Sequence, residues 1–89
     1  MRRVILSNAF EKDVKLMKKR GYAMEKLGAV MQALAATGML EERFKDHPLR
    51  GNYQGYRECH LQPDWLLIYK ITDEELRLAR TGTHSDLFQ

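Results

Sequence analysis

The sequence predicts an α+β domain in which an N-terminal helical hairpin packs on one face of a small antiparallel β-sheet, in the order β-α-α-β-β-β. Two observations predict this class. Apolar side chains recur at helical spacing between residues 8 and 38. Beyond Gly38 the chain instead contains short alternating or apolar segments separated by turn residues. At 89 residues the chain has the length of one such domain, spanning residues 1–89.

A short β-branched and apolar strand is predicted over Arg3–Leu6, and the first helix follows it. Asn8 is the predicted N-cap, because Glu11 stands three residues later as in a capping box. The apolar face of this helix is formed by Phe10, Val14 and Met17. Gly21 is typical of the position just after a helix and predicts where the first helix ends.

The second helix is predicted to begin near Ala23 and to end at Gly38. Its apolar face is formed by Leu27, Val30, Met31 and Leu34. Because only a few residues join the two helices, we expect them to pack as an antiparallel hairpin. This hairpin is expected to cover the sheet that the rest of the chain forms.

The second half of the chain is predicted to form a loop, Glu41–Asn52, and then three consecutive strands. The strands are Tyr53–Leu61, Trp65–Ile71 and Leu76–Thr83, and the turns between them are Gln62–Asp64 and Thr72–Glu74. The first strand is expected to pair alongside these three. The tail, His84–Gln89, is too short to assign to an element.

The composition excludes several classes of protein. The single cysteine, Cys59, excludes a disulfide scaffold and favours a reducing compartment. Apolar runs such as Trp65–Tyr69 are far shorter than the roughly 20 residues of a membrane span. The N-terminal segment also lacks the apolar stretch of a signal peptide. We therefore expect a cytoplasmic protein without membrane contact.

The charges are unevenly distributed along the chain. Residues 1–45 contain 10 Lys and Arg against 5 Asp and Glu, whereas residues 46–89 contain 5 against 7. The basic first half predicts an anionic partner, either a nucleic acid or an acidic protein segment.

All three histidines, His47, His60 and His84, lie in the second half. Strand alternation places Glu58 and His60 on one face, and Asp64 follows the next turn. Since strand ends of an antiparallel sheet can meet at one edge, we expect these groups to converge. Imidazoles, whose unperturbed pKa is about 6.5, are suited to general acid–base chemistry near neutral pH.

Each candidate residue also has a structural explanation. His47 is then an exposed loop residue, His60 a hydrogen-bonded strand residue and His84 a turn residue. Trp65 is then a core residue, and Phe88 closes the core. A zinc or similar metal site is a further alternative. The chain has no H-x-x-x-H, C-x-x-C or H-E-x-x-H spacing, and we predict no metal.

Five separated segments resemble the YafQ toxins of bacterial toxin–antitoxin modules, which belong to the RelE/ParE superfamily. The segments are Lys45–Leu49, Gly55–Arg57 with His60, Pro63–Trp65 with Leu67–Lys70, Arg80–His84 and Leu87–Phe88. They occur in the order found in that family, and the basic stretch Lys12–Lys15 also fits. The resemblance covers nearly the whole chain and implies a RelE-like fold.

The resemblance implies a ribosome-dependent endoribonuclease that cleaves mRNA in the ribosomal A site. It implies a reaction without metal or cofactor, in which the ribose 2′-OH attacks its own 3′ phosphate and leaves a 2′,3′-cyclic phosphate and a 5′-OH. The implied catalytic residues are His47, His60, Asp64 and His84. We expect His84 to be the general acid and His60 or Asp64 the base. His47 is expected to assist at the phosphate.

Candidate RNA contacts are Phe88, Trp65 and Glu58 from the resemblance, and Arg57 and Arg80 from their charge. Phe88 is expected to stack on or position a nucleotide. Glu58 stands where the best-known members have Asp, which keeps the carboxylate but changes its reach by one methylene. The basic helices are expected to contact phosphates of ribosomal RNA.

The resemblance implies a cognate DinJ-like antitoxin, the ribosome with its mRNA, and operator DNA reached only through the antitoxin complex. Two other functions stay open. A ParE-like member of the same fold acts on gyrase and cleaves no RNA, which leaves the three histidines unexplained. A non-catalytic binding module of the same fold is the second.

Overall fold

The computed structural model describes residues 1–88, which form one five-stranded sheet and three α-helices. The strands are β1 (Arg3–Leu6), β2 (His47–Pro48), β3 (Arg57–Gln62), β4 (Trp65–Ile71) and β5 (Glu75–Gly82). The helices are α1 (Asn8–Lys19), α2 (Met24–Thr37) and α3 (His84–Phe88). The strand order in the sheet is β1-β5-β4-β3-β2, so β4 is central. The predicted α+β class is confirmed.

Ser7, and not the predicted Asn8, is the N-cap of α1. Its Oγ accepts a hydrogen bond from the Phe10 backbone N–H at 3.0 Å and donates one to the Ala79 carbonyl of β5 at 2.8 Å. Serine and asparagine are equally good N-caps. The β5 carbonyl, which the local sequence does not reveal, therefore selects Ser7.

The apolar faces predicted for α1 and α2 both pack against one face of the sheet, which we call the helix-covered face. The buried side chains between them include Phe10, Met17, Leu27, Val30, Leu34, Cys59, Leu61, Trp65, Leu67, Tyr69, Leu76 and Leu78. Gly38 ends α2 as predicted. Its φ of 75° lets its N–H bond to the Leu34 carbonyl, in a left-handed conformation that favours glycine.

The pairing of β1 departs from the predicted antiparallel sheet, because β1 runs parallel to β5. The Ser7 N–H bonds to the Leu78 carbonyl, and α1 then lies beside the second half of β5. There the Asp13 carboxylate accepts hydrogen bonds from the Arg80 side chain and the Thr81 backbone N–H. An antiparallel β1 would start α1 at the opposite end of β5 and separate these groups. The sheet is therefore mixed, with antiparallel pairing between its other neighbours.

The short strand β2 lies inside the predicted loop Glu41–Asn52. Its two residues pair with β3, where His47 lies opposite Glu58 and Pro48 opposite Arg57. Two residues are too few to show the alternation of apolar and polar side chains that predicts a strand. Only the pairing with β3 identifies β2 as a strand. This pairing brings His47 into the sheet.

The start of β3 and the structure of the tail also differ from the prediction, while the other strand ends differ by at most one residue. β3 begins at Arg57 and not at Tyr53, because Gly51–Tyr53 form a 3₁₀ turn and Gly55 adopts a φ of 91°. The unassigned tail forms α3 as far as Phe88, and Gln89 lies outside the described residues.

The face of the sheet opposite the α1–α2 hairpin, which we call the open face, positions the candidate site. A small apolar cluster lies on it, formed by Leu66, Ile68 and Leu87 with Leu49, Tyr53, Tyr56 and Ala79 at its margin. Because successive side chains of a strand point to opposite faces, Cys59 enters the helix-covered core whereas Glu58 and His60 lie on the open face. Within residues 1–88, every helix is too short or too polar to cross a membrane.

Replacing the observed N-cap should destabilise the fold more than replacing the predicted one. Ser7→Ala removes the cap and the bond to Ala79, and should lower the free energy of unfolding by about 1–2 kcal/mol. Asn8→Ala is the matched control and should change it by at most about 0.5 kcal/mol. Urea unfolding followed by the fluorescence of Trp65, the single tryptophan, measures both. Equal losses would contradict the assignment of Ser7.

Candidate active site

The three histidines lie side by side on the open face, and we call them the histidine row. His47 comes from β2, His60 from β3 and His84 from α3. The ring centroids are 6.1 Å apart between His47 and His60, and 6.0 Å apart between His60 and His84. The convergence predicted from the sequence is confirmed, with His60 in the middle of the row.

A nearly buried carboxylate supports one half of the row. The side chain of Glu58 is 7% exposed, and its oxygens lie 3.4 Å from His47 Nε2 and 3.9 Å from His60 Nε2. On the other side of the ring, His47 Nδ1 lies 2.8 Å from the Lys45 carbonyl oxygen. Because a carbonyl only accepts, Nδ1 carries a proton and Nε2 faces Glu58. These contacts define the orientation of the His47 ring.

Asp64 holds the other end of the row. Its Oδ1 accepts a hydrogen bond from the His84 backbone N–H at 3.0 Å and lies 2.6 Å from His84 Nδ1. These two bonds, the backbone one first, lower the pKa of Asp64, so it is a carboxylate at neutral pH. A carboxylate facing Nδ1 keeps the proton there, which leaves Nε2 of His84 for proton exchange with a substrate.

A second aspartate, Asp86, attaches α3 to the rest of the fold. Its Oδ2 accepts a hydrogen bond from the Thr83 N–H at 3.0 Å, and Thr83 Oγ1 accepts one from the Asp86 N–H at 3.2 Å. Arg20, just after α1, donates to both oxygens of Asp86, at 2.7 and 3.3 Å. Arg20 and then Thr83 lower the pKa of Asp86 to about 2. This network holds the helix that begins with His84.

An aromatic surface continues the row beyond His84. The Phe88 ring lies 6.5 Å from His84 and 6.1 Å from Tyr53, and Phe88 is 48% exposed. Arg80 on β5 donates to both oxygens of Asp13, at 2.6 and 3.1 Å. Asp13 raises the pKa of Arg80, and Tyr53 adds to the effect. An exposed apolar ring and a fixed cation therefore flank the row.

The structure places two predicted RNA contacts, Trp65 and Arg57, on the helix-covered side of the sheet. Trp65 is fully buried, and its Nε1–H donates to Thr81 Oγ1 at 2.9 Å. Arg57 immediately precedes Glu58 in β3, so its side chain starts from the opposite face. Its Nε–H donates to Asp46 at 2.8 Å. Both side chains hold the fold together, away from the histidine row.

The chemistry that the open face offers is proton transfer. Among residues 1–88, no group of three or more His, Cys, Asp or Glu side chains is arranged to hold a metal ion. Burial first, then Asp46 and Glu58, raises the pKa of the Cys59 thiol to about 12. A buried neutral thiol is a poor nucleophile at neutral pH. The histidine row with its two carboxylates is thus the group suited to acid–base work.

Sequence reasoning missed Tyr53 and Asp86, which contact residues of this site, and Asp46, which immediately precedes His47. Asp86 had a readable signal, because Thr83-x-x-Asp86 is a capping-box spacing. Asp46 had none, since its partner Tyr69 lies 23 residues further along the chain. Only the folded sheet brings such pairs together.

The chain matches a family described as bacterial toxin of type II toxin–antitoxin system, YafQ, over residues 2–89. It is 51% identical to the mRNA interferase toxin YafQ of Escherichia coli K12 over 83 residues, which cover 92% of this chain and 90% of the relative. The resemblance noted in the sequence is therefore confirmed.

Chains in two crystal structures have folds similar to that of this chain over nearly its whole length. In the E. coli DinJ–YafQ complex, the similar chain has a TM-score of 0.92 and 48% identity, with full coverage of both chains. A metal-bound toxin from Helicobacter pylori has a TM-score of 0.90 and 42% identity, covering 99% of this chain and 100% of that one. The expectation of a RelE-like fold is confirmed by these neighbours.

The lowered pKa of Asp86 predicts an acid-sensitive attachment of α3. A carboxyl whose pKa falls from 3.8 to about 2 on folding contributes stability above about pH 4 and loses it as the pH falls to 2. The free energy of unfolding should therefore fall more steeply over this range in the wild type than in Asp86→Asn. Asp73→Asn, in an exposed turn, is the matched control and should keep the wild-type slope. Urea unfolding at several pH values measures the slopes, and an unchanged slope in Asp86→Asn would contradict the assignment.

Proposed function

The chain belongs to the YafQ family of toxins from bacterial type II toxin–antitoxin systems, and we propose that it is an endoribonuclease that cleaves mRNA on the ribosome. The observation that carries the proposal is the histidine row with Glu58 and Asp64. Cleavage by the 2′-OH needs a proton acceptor, a proton donor and positive charge at the phosphate. Three imidazoles at spacings of 6.1 and 6.0 Å can supply all of these. The name of the E. coli relative, mRNA interferase, supports the same activity.

In the proposed reaction, the 2′-OH of a nucleotide attacks phosphorus in its own 3′ phosphate. The bond from phosphorus to the 5′ oxygen of the next nucleotide breaks as the new bond forms. A base takes the 2′ proton, and an acid gives a proton to the leaving 5′ oxygen. The products are a 2′,3′-cyclic phosphate and a 5′-OH, and the reaction requires neither metal nor cofactor.

We assign the general acid to His84 and the general base to His60. Asp64 lies 2.6 Å from His84 Nδ1, which leaves Nε2 to protonate the 5′ oxygen. Asp64 was the other candidate base, but its lowered pKa makes it a weaker proton acceptor than an imidazole. His47, at the far end of the row, stabilises charge on the phosphate.

Glu58 acts through the histidines that it contacts. Its side chain is too deeply buried to lie along an RNA chain, so we reassign it from RNA contact to orientation of His47 and His60. The longer reach of Glu compared with Asp suits contact with both rings.

Phe88 and Arg80 form the proposed RNA-contacting surface beside His84. Phe88 exposes about half of its surface, which leaves a ring on which a base can stack. Arg80 is fixed by Asp13, and its guanidinium retains further N–H donors for a phosphate. The exposed lysines proposed to contact ribosomal RNA are Lys12, Lys15, Lys18 and Lys19 of α1.

The ribosome supplies the alignment that this small site lacks. In-line attack requires the 2′ oxygen, phosphorus and 5′ oxygen to be collinear, and flexible RNA reaches this geometry rarely. Correct orientation can contribute up to roughly 7–11 kcal/mol. The histidine row lies on an open surface, with few contacts that could bend an RNA chain. We therefore propose that the A site holds the codon while the row transfers protons.

The proposed partner is an antitoxin with an acidic or mixed-charge segment that folds on binding. Its E. coli relative was crystallised with DinJ, which supports a DinJ-like protein here. Exposed apolar side chains for such a partner are Val4, Leu6, Leu16 and Met39. Operator DNA is proposed to bind only through the antitoxin complex. Since the proposed substrate is mRNA under translation, we place the protein in the cytoplasm.

The decisive experiment compares cleavage of one mRNA by the purified chain with and without programmed ribosomes, at equal salt. We expect rapid cleavage only with ribosomes. His84→Ala should lower the rate by about 10²–10⁴-fold, the usual loss when a general acid is removed. Ser85→Ala, the exposed neighbour in α3, is the matched control and should cleave at the wild-type rate.

Each competing function has its own outcome in this assay. Equal rates with and without ribosomes would indicate a general ribonuclease. No cleavage, combined with gyrase inhibition, would indicate the ParE-like function. Because a similar toxin from H. pylori was crystallised with a bound metal, the assay is repeated with a chelator selective for transition metals. Mg²⁺ is kept in the buffer, since ribosomes require it. Activity lost with the chelator and restored by zinc would contradict the metal-free reaction.

Expression of the wild-type chain alone in bacteria should stop growth, because nothing would then inhibit cleavage of translated mRNA. His84→Ala should permit growth, while Ser85→Ala should remain toxic. Co-expression of the cognate antitoxin should restore growth and yield a complex in which the two proteins co-purify. Normal growth during stable expression of the wild-type chain would contradict the toxin–antitoxin proposal.

A further inference from the structure

Asp46, next to His47, makes two side-chain contacts on the helix-covered side of the sheet. One oxygen accepts a hydrogen bond from Arg57 Nε at 2.8 Å, and the other accepts one from the Tyr69 hydroxyl at 2.5 Å. Arg57 belongs to β3 and Tyr69 to β4, so the carboxylate ties the segment before β2 to two strands. We call these two bonds the Asp46 contacts.

The segment that carries His47 has few other attachments. β2 is an edge strand of two residues, and Lys45, two residues before it, has a φ of 50°. A left-handed conformation is uncommon for a residue with a side chain, and surrounding contacts must hold it in place. The Lys45 carbonyl is also the group that receives His47 Nδ1–H. The position of His47 therefore depends on what fixes residues 45 and 46.

We infer that Asp46 is a positioning residue for His47 and that it acts through Tyr69 and Arg57, across the sheet from the RNA-contacting face. The inference rests on the proposed function, since it assigns these three residues to the same reaction. The side chains of all three meet on the helix-covered side of the sheet, away from the imidazoles of the histidine row. Arg57 thereby receives a role different from the RNA contact that its charge suggested.

The Asp46 contacts have the properties of a permanent attachment. Tyr69 is 1% exposed, and burial and then Asp46 raise the pKa of its phenol, which stays a donor at neutral pH. Burial opposes and Asp46 favours the charged form of Arg57, and the net shift of its pKa is upward. Bonds between a carboxylate and a charged donor are stronger than those between neutral groups. Both Tyr69 and Arg57 therefore remain protonated donors to Asp46 near neutral pH.

The test removes one hydroxyl group that lies on the far side of the sheet. Tyr69→Phe deletes the bond to Asp46 and keeps the buried ring. With programmed ribosomes, kcat should fall about threefold to tenfold, the change expected from one misplaced hydrogen-bonded group. Tyr22→Phe removes a hydroxyl from the same core, where Tyr22 packs edge-on against Trp65, and should leave the rate unchanged. Asp46→Asn, which keeps one acceptor oxygen, is the second variant and should also lower kcat.

A double-mutant cycle separates positioning of His47 from general destabilisation. In a His47→Ala background, Tyr69→Phe should cause no further loss, because the group it positions is already absent. The imidazole resonances of His47 should shift in Tyr69→Phe, while those of His84 stay in place. An equal loss in both backgrounds, a wild-type rate for Tyr69→Phe, or a wild-type rate for His47→Ala would overturn the inference.

The resonance measurement also keeps the two proposals distinguishable. If the wild-type chain cleaves no RNA with ribosomes, the proposed function fails. The position of His47 is still measured by its imidazole resonances in Tyr69→Phe and Asp46→Asn, at a temperature where both variants are folded. Unshifted resonances in both variants would overturn the positioning role by themselves.

Discussion

The alternation of side chains along β3 is the constraint on which the rest of the structure depends. Cys59 and Leu61 enter the core beneath the helical hairpin, and Glu58 and His60 must then lie on the open face. A shift of one residue in register would bury the histidine and expose the apolar side chains. The hydrophobic effect that assembles the small core therefore also presents the central histidine of the row.

Four aspartates connect segments that the backbone alone would leave loosely attached. Asp13 ties α1 to β5, and Asp46 ties the segment before β2 to β3 and β4. Asp64 binds the first residue of α3, and Asp86 joins the same helix to Arg20. In a domain of this size the apolar core is thin, so directional hydrogen bonds to these carboxylates position much of the structure. These four aspartates therefore join neighbouring elements of a chain whose net charge is positive.

The exposure of the histidine row suits a large substrate. A pocket that encloses a small ligand would need walls on several sides, whereas these rings lie along a sheet face with one short helix at its end. The open face therefore leaves the row accessible to a strand of RNA. The exposed apolar side chains of the first half, among them Val4, Leu6 and Leu16, provide area for the proposed antitoxin.

The sequence by itself determined the helices, the main strands, the core side chains and the set of candidate residues. These depend on local periodicity and on residue chemistry, and the segments that resemble YafQ toxins added the expected reaction. It did not determine which of Ser7 and Asn8 caps α1, because a carbonyl of β5 makes the choice. It did not reveal the parallel direction of β1 or the existence of β2, because both are defined by partners far along the chain. The roles of Trp65 and Arg57 were decided by tertiary structure for the same reason: the side of the sheet on which a residue lies depends on register and packing, and neither is encoded in its immediate neighbours.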